Sequence, residues 1–535
     1  DPAFIAIEMP TSDGVTYVIY EVAALKPTHF QQLGMDVAMP TVIRKEYLDT
    51  IGGSWGESEE TWIDLAAVPT QYRMDYVDNR LVFSKARLVP LAGSKALLLS
   101  REAVKRFLCV EDGVEVGELI GFDMPLTVDL DNIVRYHMGI FGFTGVGKSN
   151  LTAFIMREVL NNMPDVKVIV FDISGEYSIH LLDLLLKRGL IFSTEDFRGD
   201  SENFLNSQAV PESLERRVGE RRLSKSIKTV FDEGRVQRLS LSMPEEAPKI
   251  TLDYLTSMLQ NVSEQKGSGG VQATLALSKI VQYFLRDRAY DGTFDISLLE
   301  GEDKNMLINI LENLVQSVHG MSALRLDLTS LIDYVTNKGL VEEEEVEERM
   351  ILNPEALASQ LLKSGSEALN IVYLPEPDRA RYAVSRFLDR LLFLKKTSAG
   401  RRKVLVVLDE AQEFIPDRSV KSDFSDQSNK AVESLLRQGR KYRAHCWLST
   451  QRVAHLNVNA LQQIHSYFVS TLPRFYDRMV IADAFSLSYD MLEKTTELDT
   501  GEWLFVSYKA TKQKNVPTFI KALDNEEVIL KNLPS

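Results

Sequence analysis

Two kinds of hydrophobic pattern divide the chain. From Asp1 to about Asp123, short alternating segments of β type, such as Val15 to Val22 and Arg80 to Phe83, are punctuated by Gly, Pro and Asp. That pattern predicts a small β-rich, barrel-like domain over 1–123. The text changes near Val116 to Gly121, and from Tyr136 onward wholly apolar runs alternate with amphipathic helical stretches, as in a parallel sheet covered by helices. Met138 to Phe141, Val166 to Phe171, Leu369 to Leu374, Val404 to Leu408 and His445 to Ser449 read as strands buried on both faces. The predicted core is therefore α/β and split, into 124–180 and 367–535, by a mostly helical insertion over 181–366. Within the insertion, Gly267 to Gly270 reads as a flexible joint. The acidic run Glu342 to Glu348 reads as a solvated helix face.

A chain of 535 residues holds more than one folding unit. No apolar run approaches the roughly 20 residues that span a bilayer, so no membrane-integral part is expected. Cys109 and Cys446 stand far apart and in no metal-ligand spacing, which excludes a disulfide framework or thiolate zinc site and fits a reducing, cytoplasmic setting. The chain opens on Asp1 without a charged-then-apolar leader, and it reads as starting inside a longer natural chain. A formal net charge of -15 confines any nucleic-acid contact to a local groove or pore.

The chemistry concentrates in a few strings. Gly142-Phe143-Thr144-Gly145-Val146-Gly147-Lys148-Ser149 fits G-x-x-x-x-G-K-[ST] between a predicted strand and a predicted helix, the context that a phosphate-binding loop requires. Glycines let the backbone N–H groups of Gly142, Thr144, Gly145, Val146, Gly147, Lys148, Ser149 and Asn150 approach phosphate oxygens at a helix N-terminus. Lys148 is expected at the β- and γ-phosphates of ATP, and the Ser149 hydroxyl on Mg²⁺. Val404 to Leu408 ends in Asp409-Glu410, which supplies a carboxylate for an outer-sphere or direct hold on Mg²⁺, Asp409, and a base for the attacking water, Glu410. After the next strand comes Ser449-Thr450-Gln451-Arg452, where Gln451 is placed to sense the γ-phosphate. Arg437 and Arg440, in Arg437 to Arg443, are candidates for a finger that stabilises transition-state charge; the competing reading is a solvated helix end. Asp172 and Glu176 follow another strand, and two readings stand: they line the site or they cap the next helix. The basic stretches Arg216 to Lys228 and Lys395 to Lys403 read as solvated surface sooner than as DNA contacts.

Asp409-Glu410-Ala411-Gln412 is similar to the DEAD-type helicases, but the chain remaining after Gln412 is too short for their second lobe. Taken together, Gly142 to Asn150, Phe171 to Tyr177, Val404 to Phe414, Arg437 to Arg443, Ser449 to Arg452 and Thr500-Gly501-Glu502 resemble the HerA family of FtsK-related ATPases. The resemblance implies a RecA-like P-loop core in a homohexameric ring that threads duplex DNA, with one subunit's arginine finger entering the next subunit's ATP site. It also implies an N-terminal barrel of the HAS type that docks a partner: a NurA-like nuclease in DNA end processing and repair, or an anti-phage effector such as a sirtuin-like NADase. Where that family has Pro-His before Gly-Glu-Tyr, this chain has Ile173-Ser174. Two functions are compatible with the same nucleotide site. One is a motor that translocates on or unwinds DNA; the other is an ATP-bound scaffold that assembles and regulates an effector enzyme.

Overall fold

The computed structural model describes residues 3–29 (except 13), 61–241 (except 79 and 198), 251–317 (except 264–267, 289, 292, 293 and 295), 352–534 (except 398–401, 418 and 421) and scattered positions in 43–49 and 328–336. They form two compact units, 1–241 with 352–535, and 242–351.

In the larger unit, β1 (Phe4–Thr11), β2 (Gly14–His29), β3 (Thr61–Val77), β4 (Arg80–Lys85) and β5 (Ala96–Leu98) make an antiparallel sheet in the order β4-β3-β2-β1-β5. Alternation along the strands puts Phe4, Ala6, Ile19 and Tyr72 on one buried face. That face meets Phe107 of the helix Arg101–Leu108, whose ring lies 5.9 Å from Phe4, 5.7 Å from Tyr72 and 5.1 Å from Phe83.

The second sheet has twelve strands: β6 (Val114–Leu119), β7 (Met124–Val128), β8 (Met138–Phe141), β9 (Val166–Asp172), β10 (Gly189–Ser193), β11 (Val236–Arg238), β12 (Leu369–Tyr373), β13 (Lys403–Leu408), β14 (Ala444–Thr450), β15 (Ser466–Val469), β16 (Glu502–Ser507) and β17 (Thr518–Lys521). Their order is β11-β10-β12-β9-β13-β14-β8-β15-β16-β17-β6-β7. From β11 to β15 every pairing is parallel; from β15 to β7 every pairing is antiparallel. The mixed α/β architecture of a P-loop core is thus in place.

The unbroken apolar runs have a direct cause, because both faces of the parallel strands are covered. Val168, Val170, Leu405 and Val407 join one core with Leu151 and Ile155 of α1 (Lys148–Asn162). Their neighbours Ile169, Phe171, Val404, Val406 and Leu408 join the other, beneath α2 (Pro377–Thr397) and α3 (Ser425–Tyr442). Each fully buried side chain of this size stabilises the fold by about 1.5–3 kcal/mol, so a charge at Val406 would disrupt it.

The structure divides the chain differently from the sequence pattern in two places. A boundary at 123 would cut the β6–β7 hairpin, which joins the large sheet through the pairing of Ile520 with Leu119. Likewise 181–241, expected in the insertion, contributes β10 and β11 to the core sheet. The separate helical unit begins only at Ser242. Its helices Leu252–Ser263, Ser268–Ile280 and Gly301–Ser317 enclose their own core, with Leu255, Ile280, Phe284 and Leu311 buried. Ser268 to Gly270, expected to be a flexible joint, open one of these helices. Gly267 and the acidic run at 342–348 lie outside the described residues.

Candidate active site

Strand β8 stops at Phe141 and α1 starts at Lys148, so the loop between them lies at the C-terminal edge of the parallel sheet, where open α/β sheets bind ligands. Gly147 has φ +95°, which L side chains rarely adopt, and a Cβ on Gly142 would lie 2.7 Å from the Val146 Cγ2. Three backbone bonds pin the loop: Gly142 N–H to the Thr450 carbonyl at 3.3 Å, Phe143 N–H to Thr471 at 2.9 Å, and Gly501 N–H to Val146 at 3.0 Å. No side chain caps α1 at Gly147, and the Lys148 ammonium bonds the Phe143 carbonyl of its own loop at 3.3 Å. The result is an uncapped helix N-terminus beside an ammonium held by the same loop, an arrangement suited to a polyphosphate.

Four carboxylates stand beside this loop. Asp409, at the end of β13 and 3% exposed, accepts the Tyr177 hydroxyl at 3.3 Å and the Ser174 hydroxyl at 3.4 Å. Burial pushes its carboxyl well above the usual range; Asp172, Glu176 and Glu410 push it further, and Lys148 pulls the other way. The Lys148 and Asp409 charges are therefore near enough to sense each other. Asp172 and Glu176 take different parts. Asp172 caps the turn, accepting N–H groups of Gly175 at 2.8 Å, Glu176 at 3.4 Å and Tyr177 at 2.9 Å, and burial raises its carboxyl to about 6 despite those bonds. Glu176 lines the site, because its carboxylate accepts the hydroxyl of Ser149. Sequence spacing left these two alternatives open for both residues.

The tip of β14 faces two ways, as successive strand residues must. Gln451 accepts the Thr144 hydroxyl of the loop with its side-chain oxygen, and Thr450 donates its hydroxyl to Gln412. Gln412 in turn donates from Nε2 to Glu410 at 2.9 Å. Glu410 sits at φ +47°, a left-handed conformation that costs a non-glycine residue on the order of 1 kcal/mol and turns the chain sharply after β13. Neither Gln412 nor Thr450 stood out as a functional residue in the sequence; a buried amide two positions after the acidic pair was the available signal.

Arg437 and Arg440 do not join this group. They occupy the last turns of α3, which leads into the start of β14, at the opposite edge of the sheet. Seven strand residues at ~3.3 Å each put that edge about 20 Å from Thr450, beyond an arginine's reach. Arg440 lies 5.4 Å from the Tyr136 ring, as do Arg135 at 5.6 Å and Lys509 at 5.8 Å.

Asn150, expected at the nucleotide, has its carboxamide engaged by the C-terminal segment. It donates to the Leu523 carbonyl and accepts the Asn525 N–H, both at 2.9 Å. Its part at a phosphate would thus be played by its backbone N–H. Two turns further along α1, Arg157 is paired with Asp183 at 2.6 Å in full burial and donates to Asn525 at 3.0 Å, which ties α1 to α4 (Asn525–Asn532). Several side chains of the basic stretches also bond within the chain. Arg217 bonds Asp524 at 2.7 Å, Arg222 bonds the Pro534 carbonyl at 2.9 Å, Lys395 bonds the Arg402 carbonyl, and Lys403 pairs with Asp131.

Comparison with known proteins places this geometry. The family described as "Helicase HerA, central domain" matches residues 114–276. The DNA double-strand break repair helicase HerA of Pyrococcus furiosus is 21% identical over 521 residues, covering 90% of this chain and 79% of that protein. The probable DNA double-strand break repair helicase HerA of Methanocaldococcus jannaschii is 22% identical over 455 residues, covering 80% of each. The chain is an ATPase that is similar to HerA helicases over most of its length. Among solved structures, the chain is similar to VirB4 of Thermoanaerobacter pseudethanolicus (13% identity, TM-score 0.39, 78% of this chain and 99% of that one). It is also similar to the plasmid coupling protein TrwB in complex with the ATP analogue ADPNP (13% identity, TM-score 0.38, 80% and 93%). No helix among the described residues of the chain is long and apolar enough to cross a membrane.

Proposed function

We propose that this HerA-like ATPase hydrolyses Mg²⁺-ATP at the loop Gly142 to Ser149 and uses the cycle to move on, or unwind, duplex DNA within a homo-oligomeric ring. The observation that carries the reading is the meeting of Lys148, Ser149, Glu176 and Asp409 at one edge of the sheet. The donor set there is all oxygen: the Ser149 hydroxyl and the Asp409 carboxylate, with Glu176 behind them, suit a hard divalent cation. Among the described residues no three His, Cys, Asp or Glu side chains make a metal cage by themselves, which a cation held mainly by phosphates and water does not need. When bound, Mg²⁺ would be held by the Ser149 hydroxyl and the Asp409 carboxylate and would supply positive charge that offsets the phosphates. The protein's share is to hold the β- and γ-phosphates with the loop amides and Lys148. Glu410 would take the proton of the attacking water, and Gln451 would register loss of the γ-phosphate through Thr144.

Transition-state charge at this site calls for a cation that the chain's own Arg437 and Arg440 are too far away to supply. A ring resolves this, because one subunit's Arg440 edge can complete the next subunit's site. Six is the ring number that the family resemblance supports, and a NurA-like nuclease or a defence effector such as a sirtuin-like NADase is the partner class it suggests.

A second reading, an ATP-bound scaffold that regulates an effector with little movement on DNA, is favoured by one observation. Both basic stretches bond carboxylates and carbonyls of the chain itself. Measuring ATP turnover with and without duplex DNA separates the two. Severalfold stimulation that fades steeply with salt supports the motor; neither binding nor stimulation would leave the scaffold. Nucleotide binding that survives Lys148→Ala would refute both.

A further inference from the structure

We propose that Gln412 is a positioning residue that fixes the base Glu410 and links it to the phosphate-binding loop through the tip of β14. The inference rests on the assignment of Glu410 as base and adds to it the means by which that base is placed.

The linkage is continuous. Thr144 in the loop bonds Gln451; the next residue back, Thr450, bonds Gln412; and Gln412 bonds Glu410 at 2.9 Å. Thr450 is also tied at both ends of its own backbone neighbourhood. Its carbonyl accepts the Gly142 N–H at 3.3 Å, and its hydroxyl accepts the Arg452 N–H at 3.0 Å. Thr450 is fully buried and Gln412 is 9% exposed, so water competes little for these bonds. Glu410 needs such a hold. It sits alone in a left-handed backbone conformation beyond the strand, and its side chain would otherwise sample several rotamers. A carboxamide is the group required, since only an amide can accept from Thr450 with its oxygen while donating to a carboxylate with its nitrogen. A glutamate in that place could accept but not donate. Because Thr450 and Gln451 are consecutive, a shift of the loop on phosphate release moves both, and through Gln412 it moves the base.

The test is steady-state turnover, together with the Kd for a slowly hydrolysed ATP analogue, in Gln412→Leu, Thr450→Val and the double variant of the full chain. Each single change should lower kcat roughly ten- to hundredfold, as expected when a bond to a charged group is lost, while KM and analogue Kd stay within about twofold. The double variant should be no slower than the slower single, because both changes break one linkage. Thr450→Ser, which keeps the hydroxyl, should restore turnover to near the parent value and also guards against a simple folding defect in the valine variant. Full kcat in folded Gln412→Leu, effects that multiply in the double variant, or loss of analogue binding instead of kcat would each overturn the proposal. Glu410→Gln runs alongside: if it still turns over, the base assignment fails and takes this inference with it. If it is dead while Gln412→Leu is fully active, only the linkage fails.

Discussion

The two edges of the parallel sheet carry opposite chemistry. At the C-terminal ends of β9 and β13, Asp172, Glu176, Asp409 and Glu410 crowd together, and burial, with their mutual repulsion, raises the carboxyls of Asp409 and Asp172. At the other edge, Arg135, Arg440 and Lys509 surround the single ring of Tyr136, above the buried His137 and His445. Acids that repel one another are relieved by a cation, and clustered cations by an anion. Each edge is thus incomplete in the way that the other could help to satisfy, but one chain keeps them about 20 Å apart. The difference teaches that the two edges hold opposite clusters, carboxylates at the ends of β9 and β13 and cations around Tyr136 just before β8.

The largest expected effect comes from the basic edge. Arg440→Ala should lower ATP turnover by about 10³-fold or more, the range found for fingers acting on a neighbour's nucleotide. Mixing it with Glu410→Gln subunits should recover activity, and mixtures that stay inactive would confine each site to one chain. At the acidic edge, Glu410→Gln should cost roughly 10²- to 10⁴-fold in kcat with ATP still bound, measurable by single-turnover hydrolysis beside a binding assay.

Acid should then distinguish the edges by sign. His137 and His445 are lowered from 6.5 to about 4 and about 3, chiefly by burial, so the unfolded chain takes up their protons first. Stability is therefore present above pH 6.5 and lost as pH falls through the window towards 4, by about 2 kcal/mol per histidine at pH 5. Asp172, raised from 3.8 to about 6, works in reverse: its contribution is present at low pH and lost as pH rises from about 4 to 6. Removing one histidine isolates its part: in thermal melts at pH 7, 6 and 5, His445→Gln should lose less Tm on acidification than the parent chain. A Tm that rises on acidification would mean that the acidic edge governs. The smallest effect belongs to Tyr136→Leu. Removing the ring forfeits cation–π contacts of about 0.5–1 kcal/mol each, which should lower turnover less than tenfold and barely move Tm.

How much of this was legible beforehand follows from the range of the interactions. The phosphate loop and Asp409-Glu410 were readable because each is a local string at a strand end, where the fold itself brings strand ends together. Strands β10 and β11 were not, since Leu182 to Arg188 before them is helical and their only claim to be strands is pairing with partners far along the chain. Asn150 and Gln412 show the same limit at the level of side chains. Both are polar residues in the expected places, yet their partners, Leu523 with Asn525 and Thr450, come from segments that no local pattern connects to them.

The order of strands also governs how the molecule is made. Strand β8 lies between β14 and β15, which are synthesised long after it, so a nascent chain carries an apolar strand and a glycine loop with neither neighbour available. Non-local pairing of this kind slows folding and leaves sticky segments exposed. A chaperone that shields β8 on the ribosome should therefore raise the yield of folded protein more than any surface substitution would.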